Sequence, residues 1–325
     1  MGNKEINSVG SGEKLMSKKK LEPITGAVPV MAMPFDIDGI IDGDSLRRQI
    51  DFCIEAGAKG IAFGIGSESG MLTDAERIQV WTLAAKHIDG QRPLVAATSH
   101  ASREGTIALT RLAGECGADC AMVNPQPLQG EELVRLFDDL SQRVALPLMI
   151  QDVGQNASAD VLVQATQQAE EVVALKIESP DAPHKIGQVV AELQVRKLTA
   201  GERQITVLGG SNGNHLPEEL SRGSVGTIPF PAIVDAYQTV CDCFRIGDTT
   251  GGQKIYLQRI VPLLRAAAAG GGGNASVWIH KAILQRAGIL RTAYCRMNIA
   301  PVPDWIMENV WQHLVDDLLI SRRLT

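Results

Sequence analysis

From Gly26 onward, short unbroken apolar runs alternate with stretches in which apolar residues recur at helical spacing. The runs are Ala27–Met33, Gly60–Gly64, Pro93–Thr98, Asp119–Asn124, Pro147–Gln151, Val172–Ile177, Gln204–Leu208 and Gly226–Ile228. Runs of this length predict strands buried on both faces, as in parallel sheets. The stretches between them predict helices: near Ser45–Glu55 after Asp44, then Thr73 to His87, Ser102–Glu115, Glu131–Arg143, Ala159–Glu170 and Pro183–Leu193. Thr73 with Glu76 three residues on forms a capping box. Strands recurring every roughly 25–35 residues with helices between them predict parallel βαβ units. Eight such units in about 220 residues predict a closed (β/α)8 barrel, or TIM barrel. A doubly wound open sheet is the alternative, weakened by the lack of G-x-G-x-x-G after the first strand.

The alternation stops after Ile255. Ile255–Ala269, Ser276–Ala287 and Pro303–Leu319 predict helices with no strand partners, and the glycine run Gly270–Gly273 separates the first two. The expected organisation is a flexible N-terminal tail over 1–23, a barrel over 24–250 and a helical appendage over 251–325. Surplus apolar helix surface predicts a homodimer or homotetramer.

Composition narrows the partners. The chain has 325 residues and a formal net charge of −6. With no basic face evident, nucleic acid and anionic membrane are poor partners. The first twenty residues hold no apolar run long enough for a signal peptide or membrane span. Cys53, Cys116, Cys120, Cys241, Cys243 and Cys295 show one C-x3-C and one C-x-C, without the second half of a zinc site. They are expected to be buried thiols in a reducing, cytoplasmic compartment, with no metal and no cofactor.

Lys176 interrupts the apolar run V-V-A-L-K-I-E. It is either a strand end whose stem is buried and whose head reaches water, or an amine nucleophile able to form a Schiff base with a ketone. In a barrel the chemistry gathers at the C-terminal ends of the strands, and polar or glycine residues recur there. Strand two is followed by Gly64-Ile65-Gly66-Ser67-Glu68-Ser69-Gly70, either a plain turn or a backbone nest for a carboxylate or phosphate. Strand three ends at Thr98-Ser99-His100, where His100 is either a surface group or a catalyst. Strand five ends at Gln151-Asp152, strand six at Lys176-Ile177-Glu178 and strand seven at Gly209-Gly210-Ser211-Asn212. Asp152 is either a loop cap or a further acid–base group.

P-V-M-A-M-P-F-D-x-D-G over 29–39, G-x-x-S-E-S over 64–69, L-P-L-M-I-Q-D over 146–152 and A-L-K-I-E over 174–178 together resemble the dihydrodipicolinate synthase/N-acetylneuraminate lyase family of class I aldolase barrels. The resemblance runs from Ile24 to the last helix. It implies a small 2-oxo acid substrate and a Schiff base on Lys176. By the same match Ser67, Glu68 and Ser69 would lie in the loop that receives the substrate carboxylate; Gly66, Ser99, Gly210 and Asn212, at the strand ends, are further candidate substrate contacts. Three departures stand out: Ile65-Gly66 replaces the family's paired threonines, Gln151, which cannot ionise, replaces its proton-shuttling tyrosine, and its second tyrosine, after the fourth strand, has no counterpart near Pro125-Gln126. In these motifs the chain is similar to the 2-keto-3-deoxy sugar acid dehydratase branch, of the L-2-keto-3-deoxyarabonate dehydratase type. The expected activity is dehydration through a Lys176 imine and enamine, with Glu178, His100, Ser69 and an activated water as acid–base candidates and Gln151 as an orienting group. The alternatives are a class I pyruvate aldolase and, from another class, an inactive ligand-binding barrel.

Overall fold

The computed structural model describes residues 21–154, 157–201, 203–271, 273–314 and 317–324. Most of the expected tail, residues 1–20, lies outside the described residues. At its end Ile24 is already buried within the barrel's inner core, with Leu21 packed against it.

The first half of the barrel runs β1 Gly26–Ala27, α1 Gly43–Glu55, β2 Ile61–Phe63, α2 Asp74–Ile88, β3 Leu94–Ala97, α3 Arg103–Glu115, β4 Cys120–Val123 and α4 Gly130–Arg143. The second half runs β5 Leu148–Val153, α5 Ala159–Gln168, β6 Val172–Glu178, α6 Ala182–Val195, β7 Thr206–Gly209, α7 Leu216–Leu220, β8 Gly226–Thr227 and α8 Val234–Arg245. All eight strands pair in parallel, in the order β1-β8-β7-β6-β5-β4-β3-β2. The two edges then meet. Val30 bridges Ala62 in parallel, Ala62 N donates to the Pro29 carbonyl, and Met31 N donates to the Ala62 carbonyl. The sheet is therefore a closed barrel and not an open one. β1 is shorter than its apolar run because Pro29 has no N–H to give to the ladder.

The helices begin where local chemistry supplies acceptors for their first N–H groups. Thr73 and Glu76 form the reciprocal capping box of α2. Ser102 caps α3 and Ser158 caps α5. The cap of α1 is Asp42, not Asp44: its Oδ1 accepts from Asp44 N and Ser45 N, both at 3.1 Å.

Two apolar layers result. Val28, Val95, Met122, Met149, Ala174 and Leu208 fill the barrel interior, and the helices pack over the outward residues in a larger shell. β6 departs from simple alternation. Leu148 pairs with Val172 but Met149 pairs with Ala174, so Val173 is an extra residue in the ladder. Simple alternation from Ala174 would turn Val173 toward the helices; as the extra residue it packs against the inner cluster instead. From Ala174 the alternation holds, with Leu175 and Ile177 in the outer shell.

The C-terminal region is helical, as α9 Thr249–Ile255, α10 Val261–Ala269, α11 Gly273–Arg286 and α12 Asp304–His313. The helix expected over Ile255–Ala269 is interrupted by a π turn at Tyr256–Ile260, directly ahead of Pro262, which cannot donate within the helix. α12 stops short of the expected Leu319. No helix among the described residues is long and apolar enough to cross a membrane.

Candidate active site

β6 delivers Lys176 and Glu178 to the barrel mouth on one face, two residues apart. Lys176 is 4% exposed. Its Nζ lies 2.8 Å from Glu178 Oε2. Gln151 stands beside Lys176 in register on β5, and its Nε2 donates to the same Oε2 at 2.7 Å. Ser211 N donates to Oε1 at 2.9 Å. Burial alone would raise the Glu178 carboxyl. The Lys176 charge and the donors from Lys176, Ser211 and Gln151 outweigh it and hold the group below the ordinary carboxylate range. Glycine at 210 is required by this arrangement, because a Cβ there would run into the Glu178 side chain.

The cluster forms the floor of a cavity of about 430 Å3, a size that encloses small-molecule ligands. On one side Ile65–Ser67 makes a single 3-10 turn. The N–H groups of Ile65 and Gly66 open that turn and find no acceptor within it. A Cβ at Gly66 would sit 2.8 Å from Phe230 Cε1, so the ring of Phe230 excludes a side chain there. Opposite stand Ser211, Asn212 and Asn214 after β7, and Phe230 after β8. Asn212 is left-handed at φ 55° and accepts from Phe230 N at 2.8 Å. Tyr237 and Tyr256 donate from below to the carbonyls of Asn212 and Asn214. Two tyrosines therefore hold this loop, although neither lines the cavity. Leu264, Ala267 and Ala268 of α10 and Val277 of α11, with Met297, complete the wall.

Of the residues expected at the site, Lys176, Gln151, Glu178, Gly66 and Asn212 line this cavity. The others are placed differently. Glu68 turns away into a sealed pair: its Oε1 is 2.6 Å from Lys281 Nζ, with neither side chain exposed. Its Oε2 accepts from Arg296 N at 2.7 Å and Met297 N at 3.1 Å. Ser67 Oγ accepts from Gly64 N, which stabilises the turn itself. Ser69 is buried beside it and does not line the cavity. Ser99 Oγ accepts from Asn124 N, tying β3 to β4. His100 is exposed, and its Nδ1 accepts from Ser102 N at the start of α3. Asp152 points outward into a buried pair with Lys185 Nζ at 2.9 Å; burial dominates and raises its carboxyl.

Phe230 was not singled out by the strand-end pattern. It follows β8 in the run Thr227-Ile228-Pro229-Phe230, where the buried Thr227 is the one polar residue. Behind it His280 stacks on the ring, with centroids 4.6 Å apart. Burial lowers His280 to about 3, so it is neutral. Among the described residues no group of three or more His, Cys, Asp or Glu side chains could hold a metal ion.

A parallel eight-stranded barrel with a lysine inside the sixth strand, under a small-molecule cavity, defines the class I aldolase type of barrel. The chain belongs to the dihydrodipicolinate synthetase family, whose sequence model matches residues 23–315. It is similar to an L-2-keto-3-deoxyarabonate dehydratase from Azospirillum brasilense, 26% identical over 278 residues that cover 82% of this chain and 85% of the relative. It is also similar to a 4-hydroxy-tetrahydrodipicolinate synthase from Pseudomonas aeruginosa, 29% identical over 254 residues that cover 75% and 82%. Among solved structures it resembles dihydrodipicolinate synthase from Rhodopseudomonas palustris, with a TM-score of 0.81 at 24% identity over 91% of this chain and 98% of that one.

Proposed function

We propose that this protein is a Schiff-base-forming lyase that dehydrates a 3-deoxy-2-oxo acid bearing a hydroxyl at C4, the class to which 2-keto-3-deoxy sugar acids belong. The observation that carries the reading is the Lys176–Glu178 pair on the cavity floor, with Gln151 bonded to the same carboxylate oxygen. In the proposed cycle Lys176 passes a proton to Glu178, and the free amine attacks the C2 ketone. Glu178 returns the proton to the departing oxygen, giving water and a protonated imine. The Glu178 carboxylate then removes a C3 proton to form the enamine. The enamine expels the C4 hydroxyl, which leaves as water with the proton from Glu178. Hydrolysis of the unsaturated imine frees the 2-oxo product and restores the ion pair. The N–H groups of Ile65 and Gly66 are the natural seat for the substrate carboxylate. Gln151 cannot take the C4 hydroxyl proton that carbon–carbon cleavage requires, so it favours loss of water.

A carbon–carbon lyase or synthase is the second reading, supported by relatives named 4-hydroxy-tetrahydrodipicolinate synthase. Borohydride trapping with pyruvate and peptide mapping tests what the two readings share: an adduct on Lys176 is expected, and its absence sinks both. Product analysis separates them, since dehydration keeps the carbon skeleton whole and cleavage releases pyruvate. The protein is further inferred to be a homodimer or homotetramer, supported by exposed Leu257 and Trp305 in the C-terminal region. Sedimentation as a monomer at micromolar concentration would exclude that.

A further inference from the structure

The cavity has two unlike ends. Its floor carries the charged and hydrogen-bonding groups on β5 and β6, with the open N–H groups of Ile65 and Gly66 on one side and the polar Ser211, Asn212 and Asn214 after β7 on the other. The wall contributed by the C-terminal region is apolar: Leu264, Ala267, Ala268, Val277 and Met297, with Phe230 facing them from the barrel. None of these side chains donates or accepts a hydrogen bond. The polar residues of that region that reach the cavity, Asn274 and Ser276, belong to the first turn of α11, where Asn274 is exposed to solvent.

The wall is also held in place. α11 is tied to the loop after β2 through the sealed Lys281–Glu68 pair, and Glu68 fixes the backbone of Met297. Phe230 is confined between Gly66 and the ring of His280. A substrate hydroxyl laid against Leu264, Ala267 or Val277 would lose its water without gaining a partner. An alkyl or aryl group laid there removes apolar surface from water on both sides.

We infer that the substrate is a 2-oxo acid whose chain beyond C4 ends in an apolar group, aryl or branched alkyl, and not in a row of hydroxyls. The inference rests on the Schiff-base reading above and concerns the other end of the same cavity. Each well-buried methylene supplies roughly 10–200-fold of discrimination, so a tail of several carbons should be selected strongly.

Borohydride trapping on the full-length protein tests this without requiring turnover. The concentrations that half-saturate trapping are compared for pyruvate, 4-phenyl-2-oxobutanoate and 2-keto-3-deoxyarabonate. The phenyl acid is expected to trap at a concentration at least about 10-fold below pyruvate and about 100-fold below the polyhydroxy acid. Leu264→Gln is expected to narrow the last ratio by about tenfold; a ratio it does not move puts the tail elsewhere and overturns the assignment. If pyruvate gives no adduct, the imine reading fails and takes the tail assignment with it. If pyruvate is trapped but the polyhydroxy acid traps as well as the phenyl acid or better, only the tail assignment fails.

Discussion

Among the described residues, two lysine–glutamate pairs shielded from solvent share nearly the same geometry and stand in opposite situations. Lys176 and Glu178 meet at 2.8 Å on the floor of a cavity. Lys281 and Glu68 meet at 2.6 Å with no exposure at all, and the remaining acceptor and donor capacity goes to backbone groups of Tyr294, Arg296 and Met297. The chemistry of the side chains does not distinguish them; what each pair faces does. In the sealed pair every hydrogen-bonding direction ends on protein, so the pair is a fastener between the loop after β2 and the C-terminal region. At the floor, the amine lies where a ketone can approach and the carboxylate lies where a proton can be passed on. A buried lysine is therefore a catalytic candidate only when a cavity opens on it.

This contrast can be broken by substitution, and Lys176→Ala should have the largest effect. Trapping and turnover should both disappear, beyond the roughly 10²–10⁴-fold of a lost acid or base; substantial residual turnover would show that the amine is not the nucleophile. Glu178→Gln comes next. Turnover should fall by about 10²–10⁴-fold while slow trapping persists, because the amine remains. The wild-type carboxyl is held below its unfolded value. Its stabilising contribution is present above the ordinary carboxylate pKa of about 4.3 and is lost as pH falls through the folded value. The stability difference between wild type and Glu178→Gln, followed by chemical denaturation, should accordingly shrink on acidification below about pH 4.

Lys281→Met reverses the pattern. It strands Glu68 in a dry site and should cost about 3–5 kcal/mol of stability, visible as a lower denaturation midpoint, while Lys176 still traps pyruvate in the folded fraction. Loss of trapping with unchanged stability would mean that the two pairs had been assigned the wrong way round. The smallest effect should belong to Gln151→Tyr. Trapping should survive, and the phenol should permit some retro-aldol release of pyruvate, measurable by coupling to pyruvate reduction.

The barrel was legible because apolar runs and helical spacing alternate eight times, and the lysine because nothing else interrupts Val172–Ile177. Glu178 and Gln151 followed from strand parity and strand order. Glu68 was misplaced for a physical reason: Ser67, Glu68 and Ser69 share a polar loop, but the left-handed turn at Glu68, φ 52°, swings its carboxylate away from the cavity. Its partner lies 213 residues away, and no local pattern announces that distance. The C-terminal wall was equally hidden, since an amphipathic helix states that one face is covered without stating by what. His100 drew notice as a histidine at a strand end, yet its ring is occupied by the start of α3.

The extra residue at Val173 gives β6 two independent phases. Below it the strand keeps step with the bottom of β5; above it the count starts afresh, and that second count puts Lys176 and Glu178 on the inner face. The bulge works like a leap day in a calendar, absorbing one surplus position so that later dates fall where they should. Shortening the chain by that one residue would leave Lys176 pointing at the same cavity, whereas inserting a residue between Ala174 and Lys176, with no slack to take it up, would turn Lys176 toward the helices.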